Sequence, residues 1–137
     1  MFGRLLLGWL ETHADRNRID LIVPNPGFGA RQHTERIIES AAREDIFDEW
    51  PFDHAPWAIT KPRETQASAG KTWREKLDAA KAHADSLIID RERADGRRIV
   101  LFDDIATTLL TQEFVARRLK AAGASQVVGL VVARVLR

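Results

Sequence analysis

Residues 99–111 read IVLFDDIATTLLT. Four apolar residues form the most strand-like run in the chain, and the run ends on two carboxylates followed by hydroxyls. In open α/β sheets ligands sit beyond the carboxyl ends of strands. Asp103 and Asp104 therefore stand where ligand chemistry is expected. Adjacent residues on an extended backbone point to opposite faces, so the two are expected not to form a tight pair, and each needs a partner of its own. IATTLLT then joins this strand to a helix. Such a turn exposes backbone N–H groups at the positive end of the helix, and Thr107, Thr108 and Thr111 add hydroxyls. Donors of that kind suit a phosphate monoester, while carboxylates just upstream suit sugar hydroxyls. Together they describe a ribose 5-phosphate. A plainer reading uses the same residues: Thr108 or Thr111 caps the helix, and the aspartates face solvent. At the level of the motif both readings stand.

Working outward, SQVVGLVVARVL (125–136) reads as a last buried strand, reached through the helix TQEFVARRLKAAGA, which Gly123 stops. In that helix Phe114, Val115, Leu119 and Ala122 face inward. Upstream, ERADGRR reads as a turn, LIID as a short strand, and WREKLDAAKAHADS as a helix. RETQASAGKT has no apolar periodicity, and residues 62–72 are expected to be a flexible loop. Residues 56–60 form a short extended piece between prolines. RQHTERIIESAAREDIF (31–47) is helical, with Thr34, Ile37, Ile38, Ala41 and Ala42 on its less polar side. IDLIVPNP is a buried strand closed by two prolines. Residues 1–18 form an N-terminal helix with Phe2, Leu5, Leu6, Trp9 and Leu10 as its apolar stripe. Apolar strands alternating with helices predict an α/β three-layer sandwich around a mostly parallel sheet covered on both faces.

The chain has 137 residues, 45% of them hydrophobic, which suits one domain with a real core. We read 1–137 as that domain, with 19–137 as its core. There is no cysteine, so no disulfide framework and no thiolate metal site. The four histidines lack metal-site spacing, and no metal-ligating residues are assigned. No stretch approaches a membrane span or a signal peptide, so a cytoplasmic location and no membrane contact are the expectation. The net charge of +1 argues against a chain devoted to a nucleic-acid backbone.

IVLFDDIATTLLT resembles the phosphoribosyl-diphosphate signature of type I phosphoribosyltransferases, in which Asp-Asp is followed by a Thr-Thr-Gly-any-Thr turn. DLIVPNP resembles that family's first core strand with its Val-Pro turn. KPRETQ (61–66) resembles the basic, Thr- and Gln-containing pattern of its flexible loop, and LIIDRERADGRRIVLFDD resembles the lead-in to the signature. Taken over about residues 19–134, the wider chain is similar to the ComF-like branch, associated with competence proteins.

The resemblance implies the type I fold and an Mg²⁺-dependent transfer of a 5-phosphoribosyl group from phosphoribosyl diphosphate to a nitrogen nucleophile. It implies that Asp103 and Asp104 hold the ribose hydroxyls and act near the leaving group. Thr107, Thr108, Leu109, Leu110 and Thr111 would wrap the 5-phosphate. Asn25 would belong to the diphosphate turn, Arg31 to the basic stretch beside it, and Lys61 and Arg63 to the closing loop. The Mg²⁺ would be held mainly through diphosphate and water.

Two departures from the family pattern shape the alternatives. Leu109 stands where the family has glycine, and residues 31–35 read Arg-Gln-His-Thr-Glu rather than Arg-Gly-Phe-Asn-Gln. Glycine permits a close approach of phosphate that a leucine side chain crowds. A module that binds phosphoribosyl compounds without chemistry is thus the second reading. A competence role with single-stranded DNA as partner is the third, supported only by scattered arginines at 91, 93, 97, 98, 117 and 118, which read equally as a solvated face. A homodimer is expected from the large apolar side chains of residues 1–18. Trp50, Trp57 and Trp73 are expected to pack, and His33 and His83 have no evident partner.

Overall fold

The computed structural model describes residues 2–27, 32–62, 72–106 and 110–134. In chain order the elements are α1 (Phe2–His13), β1 (Leu21–Pro24), α2 (His33–Glu44), β2 (Ile59–Thr60), α3 (Trp73–Ser86), β3 (Ile88–Ile89), α4 (Arg91–Ala94), β4 (Arg98–Ala106), α5 (Leu110–Ala121) and β5 (Gln126–Arg134). Strands β1, β4 and β5 form one sheet in the order β1-β4-β5, with both pairings parallel. Phe52 adds a single parallel bridge to Ile22 on the other side of β1. β2 and β3 make a separate two-residue antiparallel ladder.

Strand alternation explains the two layers of core. Val23, Ile99 and Leu101 pack with Ala84 of α3 and with Val115 and Leu119 of α5. Their sequence neighbours Ile22, Val100 and Phe102 turn the other way, onto Leu6 and Leu10 of α1 and Ile37, Ile38 and Ala41 of α2. Each fully buried leucine of this set contributes roughly 1.5–3 kcal/mol by leaving water. On α1 the helical spacing allows Gly3, Leu6 and Leu10 to face α2 and the sheet. A side chain at Gly3 would collide with Ser40 and the backbone of Ala41, so glycine there sets how closely α1 approaches α2. At the start of α3, Thr72 accepts from the Glu75 N–H and donates to the Glu75 carboxylate, a side-chain cap that fixes where the helix begins.

Several sequence expectations are corrected. Only Leu6 and Leu10 of the expected α1 stripe are buried; Phe2, Leu5 and Trp9 are exposed, because helices have two sides and α2 covers one. Ala42 is exposed, and buried Glu35 joins the inner side of α2 instead. Residues 91–94 form one helical turn rather than an open turn, capped by the Asp90 carboxylate accepting from the Glu92 N–H. β5 is the edge of the described sheet, and Val128 is 49% exposed, so the last strand is not buried on both faces. Trp50 and Trp57 pack as expected, whereas Trp73 is exposed on the first turn of α3. The loop expected at 62–72 falls largely outside the described residues, as does the turn at 107–109. Gly123 follows α5 with φ +105°, as its stop position requires. No helix among the described residues is long and apolar enough to cross a membrane.

Candidate functional site

The carboxyl end of β1 lies beside Phe102, because the register pairs Pro24 with that residue, while β4 runs on beside β5 to Ala106. The next residues out are Asn25 and Asp103, and the Asn25 N–H donates to the Phe102 carbonyl at 2.8 Å. Asn25 and Asp103 share the sheet face of Val23 and Leu101, and the Asn25 amide N–H donates to Asp103 Oδ2 at 3.4 Å. Asp104 takes the opposite face, toward α2, where its Oδ2 lies 3.5 Å from His33 Nε2. The Thr34 hydroxyl then ties α2 to the turn after β1, reaching the Asn25 carbonyl at 2.7 Å.

Although β4 continues through Ala106, the two carboxylates are not independent, as alternation alone implies. Asp103 folds back so that Oδ1 accepts the Asp104 N–H at 2.9 Å. Burial pushes the Asp103 carboxyl up to about 8, and the neighbouring Asp104 carboxylate reinforces the shift; the Asp104 N–H and the Asn25 amide oppose it. Near neutral pH the Asp103 carboxyl therefore tends to keep its proton. It can therefore both donate to and accept from a diol. Asn25 itself is buried, and its Oδ1 has no hydrogen-bond partner. A buried acceptor beside two carboxyl groups is a place where a donor from outside fits.

The turn after β1 is held from two further elements. His83 of α3 is fully buried and donates to the Pro26 carbonyl; burial pulls its imidazole down to about 4, so it is neutral. Lys61, just after β2, donates its ammonium to the Gly27 carbonyl. Six of the sequence-predicted site residues are placed as follows. Asn25, Asp103 and Asp104 come together, Lys61 reaches the same turn, and Leu110 and Thr111 form the first turn of α5. The exact start of α5 puts Thr111 inside the helix, so it is not the residue preceding it. Arg31, Arg63, Thr107, Thr108 and Leu109 lie outside the described residues. Sequence reasoning missed His33 and His83. Their partners are remote in the chain, and the only local signal was that each sits on a helix whose other side is apolar.

Among the described residues no three His, Cys, Asp or Glu side chains gather as a metal cage.

No family model matches the chain, and no curated protein does. Solved structures do. One is described as the allosteric regulatory enzyme of purine biosynthesis: it superposes with a TM-score of 0.60 at 17% identity, over 96% of this chain and 25% of that one. The chain thus spans about a quarter of that protein's length. Another is the HGPRT-ase from Leishmania tarentolae in complex with GMP, with a TM-score of 0.41 and 13% identity over 99% of this chain and 73% of that one. The fold is accordingly an α/β sandwich with a mostly parallel central sheet, of the type I phosphoribosyltransferase-like kind.

Proposed function

We propose that this chain transfers a 5-phosphoribosyl group from phosphoribosyl diphosphate to a nitrogen nucleophile, with Mg²⁺ as cofactor, and that it is a divergent relative of the ComF-like branch. The observation that carries the reading is the neighbouring Asp103 and Asp104 carboxyl groups beyond the β1 pairing of β4, with the Asn25 amide donating to Asp103 just past β1. In this reading the pair grips the 2′- and 3′-hydroxyls, one carboxyl group donating and the other accepting. Asn25 Oδ1 accepts from the same ligand. The turn 107–111 wraps the 5-phosphate with backbone N–H groups and threonine hydroxyls. The diphosphate lies by the turn that His83 and Lys61 hold, with Arg31 and Arg63 supplying further positive charge. When bound, Mg²⁺ neutralises charge on the departing diphosphate. As the C1–O bond breaks, the ring carbon becomes cationic, and the carboxylates beside it stabilise that charge.

A second reading is that the site binds phosphoribosyl compounds without turnover, as a sensing module; Leu109 in the phosphate turn favours it. Incubation with phosphoribosyl diphosphate, Mg²⁺ and a panel of nucleobases and amines separates the two. Transfer predicts diphosphate release that the Asp103→Asn, Asp104→Asn double variant abolishes. Release no faster than from that variant sinks the transferase reading. Saturable binding without release then favours the sensor, and no binding ends both.

A further inference from the structure

Helix α1 contains two glycines in different situations. Gly3 is required by Ser40 and Ala41 of α2, whereas a Cβ at Gly8 would meet nothing within 4 Å. A glycine inside a helix costs roughly 1 kcal/mol against alanine, and nothing in the monomer compensates for it at Gly8. The surface around Gly8 is also unusual. Leu5 is 52% and Trp9 43% exposed, and Phe2 lies on the same flank. Thr12, on the same side, donates its hydroxyl back to the Gly8 carbonyl at 2.8 Å. Trp9 stacks on His13 at the rim of an open hollow of about 360 Å³ that continues over Val128 and Leu130 of β5.

The opposite flank of Gly8 carries Arg4 and Glu11. This arrangement has a direction. Two copies of α1 crossing antiparallel at Gly8, about a two-fold axis perpendicular to both helices, bring like flanks together. Leu5 and Trp9 then meet the partner's Leu5 and Trp9. Arg4 lies four residues before Gly8 and Glu11 three after it, so at ~1.5 Å per residue Arg4 and the partner's Glu11 come within one residue's rise of each other. A parallel crossing would set the apolar flank against the charged one. We infer that the Gly8 face of α1 is an interface with a second copy of this chain, a two-fold antiparallel helix pair with glycine at the point of closest approach. The self-complementary charges select the copy over an unrelated partner, and small residues at a crossing permit close backbone contact. The inference is independent of the site at the ends of β1 and β4.

Sedimentation equilibrium on the full chain tests it. The wild type is expected to dimerise, and Gly8→Arg to be monomeric with an unchanged far-UV circular dichroism spectrum, since position 8 faces open space in the monomer. Arg4→Glu is expected to weaken the dimer about tenfold, and adding Glu11→Arg to restore it. Loss of the exposed 3.4 Å Arg4–Glu44 ion pair would not be repaired that way. Because the chain has no cysteine, Gly8→Cys supplies a single thiol, which should form a disulfide-linked dimer under mild oxidation while Lys120→Cys does not. A wild type that stays monomeric at ~200 μM, where a dimer binding at the micromolar level would be saturated, overturns the inference. So does a dimer that survives both Gly8→Arg and the single charge reversal. A Gly8→Arg-sensitive contact with some other macromolecule, without self-association, does the same.

Discussion

An aspartate flanks each end of the β1–β4 pairing, Asp20 before it and Asp103 after it, and the two ends treat the acid in opposite ways. At the amino ends, Asp20 receives Arg98 in a two-pronged pair, with Nε at 2.9 Å and Nη2 at 3.0 Å, plus the Arg98 N–H at 2.8 Å. These bonds from Arg98 hold the Asp20 carboxyl down at about 2. At the carboxyl ends, Asp103 has no such cation in hydrogen-bond contact among the described residues. Burial and Asp104 push it up to about 8. The same residue type, on the same pair of strands, is satisfied by the fold at one end and left underserved at the other. An underserved carboxyl group in a packed sheet lowers stability, which is what a binding site costs its scaffold. The satisfied end is where β1 and β4 are locked in register.

The largest expected contrast is in ligand affinity. The Asp103→Asn, Asp104→Asn double variant should lose at least 100-fold in affinity for phosphoribosyl diphosphate with Mg²⁺, since each hydrogen bond to a charged group contributes roughly 1.5–3 kcal/mol. Asp20→Asn should leave affinity unchanged. Calorimetric titration of both reads the difference.

Thermal stability should reverse that ranking. Asp103→Asn keeps the shape and removes the buried charge, so its Tm at pH 8 should rise. Asp20→Asn leaves Arg98 without its partner, so its Tm should fall by a few degrees, a modest change because the pair is partly solvated. A fall in Tm for both variants would mean that the two ends are built alike.

The pH dependence has opposite signs at the two ends. Asp103 has a folded value above its ordinary 3.8, so between about pH 4 and 8 the folded state binds the extra proton, and stability declines as pH rises through that window. Asp20 has a folded value below its ordinary one, so its contribution is present above about pH 4 and is lost as pH falls toward 2. His83 is also depressed, from 6.5 to about 4, and adds stability that is lost as pH falls through that range. Urea unfolding across pH 2–9 should show the advantage of Asp103→Asn over wild type growing from pH 4 to 8. The disadvantage of Asp20→Asn should shrink as pH falls from about 4 toward 2.

The smallest effect expected is at residue 109. If the phosphate turn is crowded by leucine, Leu109→Gly should raise affinity or diphosphate release several-fold without altering the behaviour of the amino ends.

The fold was largely legible because its signals are local. The run ending at Phe102 is apolar and β-branched, α3 and α5 carry helical spacing, and Gly123 sits where a left-handed residue must. The candidate positions Asn25, Asp103 and Asp104 could be read from one motif and one strand end. What could not be read depends on neighbours distant in sequence. The alternation of side chains along β4 suggests two independent aspartates, but a hydrogen bond back to the Asp104 N–H couples them. His33 and His83 find their partners only when α2 and α3 pack over the turn after β1. The apolar composition of β5 says nothing of its place at the sheet edge, and α1 offers two apolar sides of which α2 chooses one.

The central claim is that the strand ends bearing Asn25, Asp103 and Asp104 bind a phosphoribosyl diphosphate. Isothermal titration of the wild type with phosphoribosyl diphosphate and Mg²⁺, with Asp20→Asn and the Asp103→Asn, Asp104→Asn double variant in parallel, tests it most directly. Saturable binding by the wild type and Asp20→Asn, lost in the double variant, is the predicted result. Equal binding by all three, or none by the wild type, contradicts it.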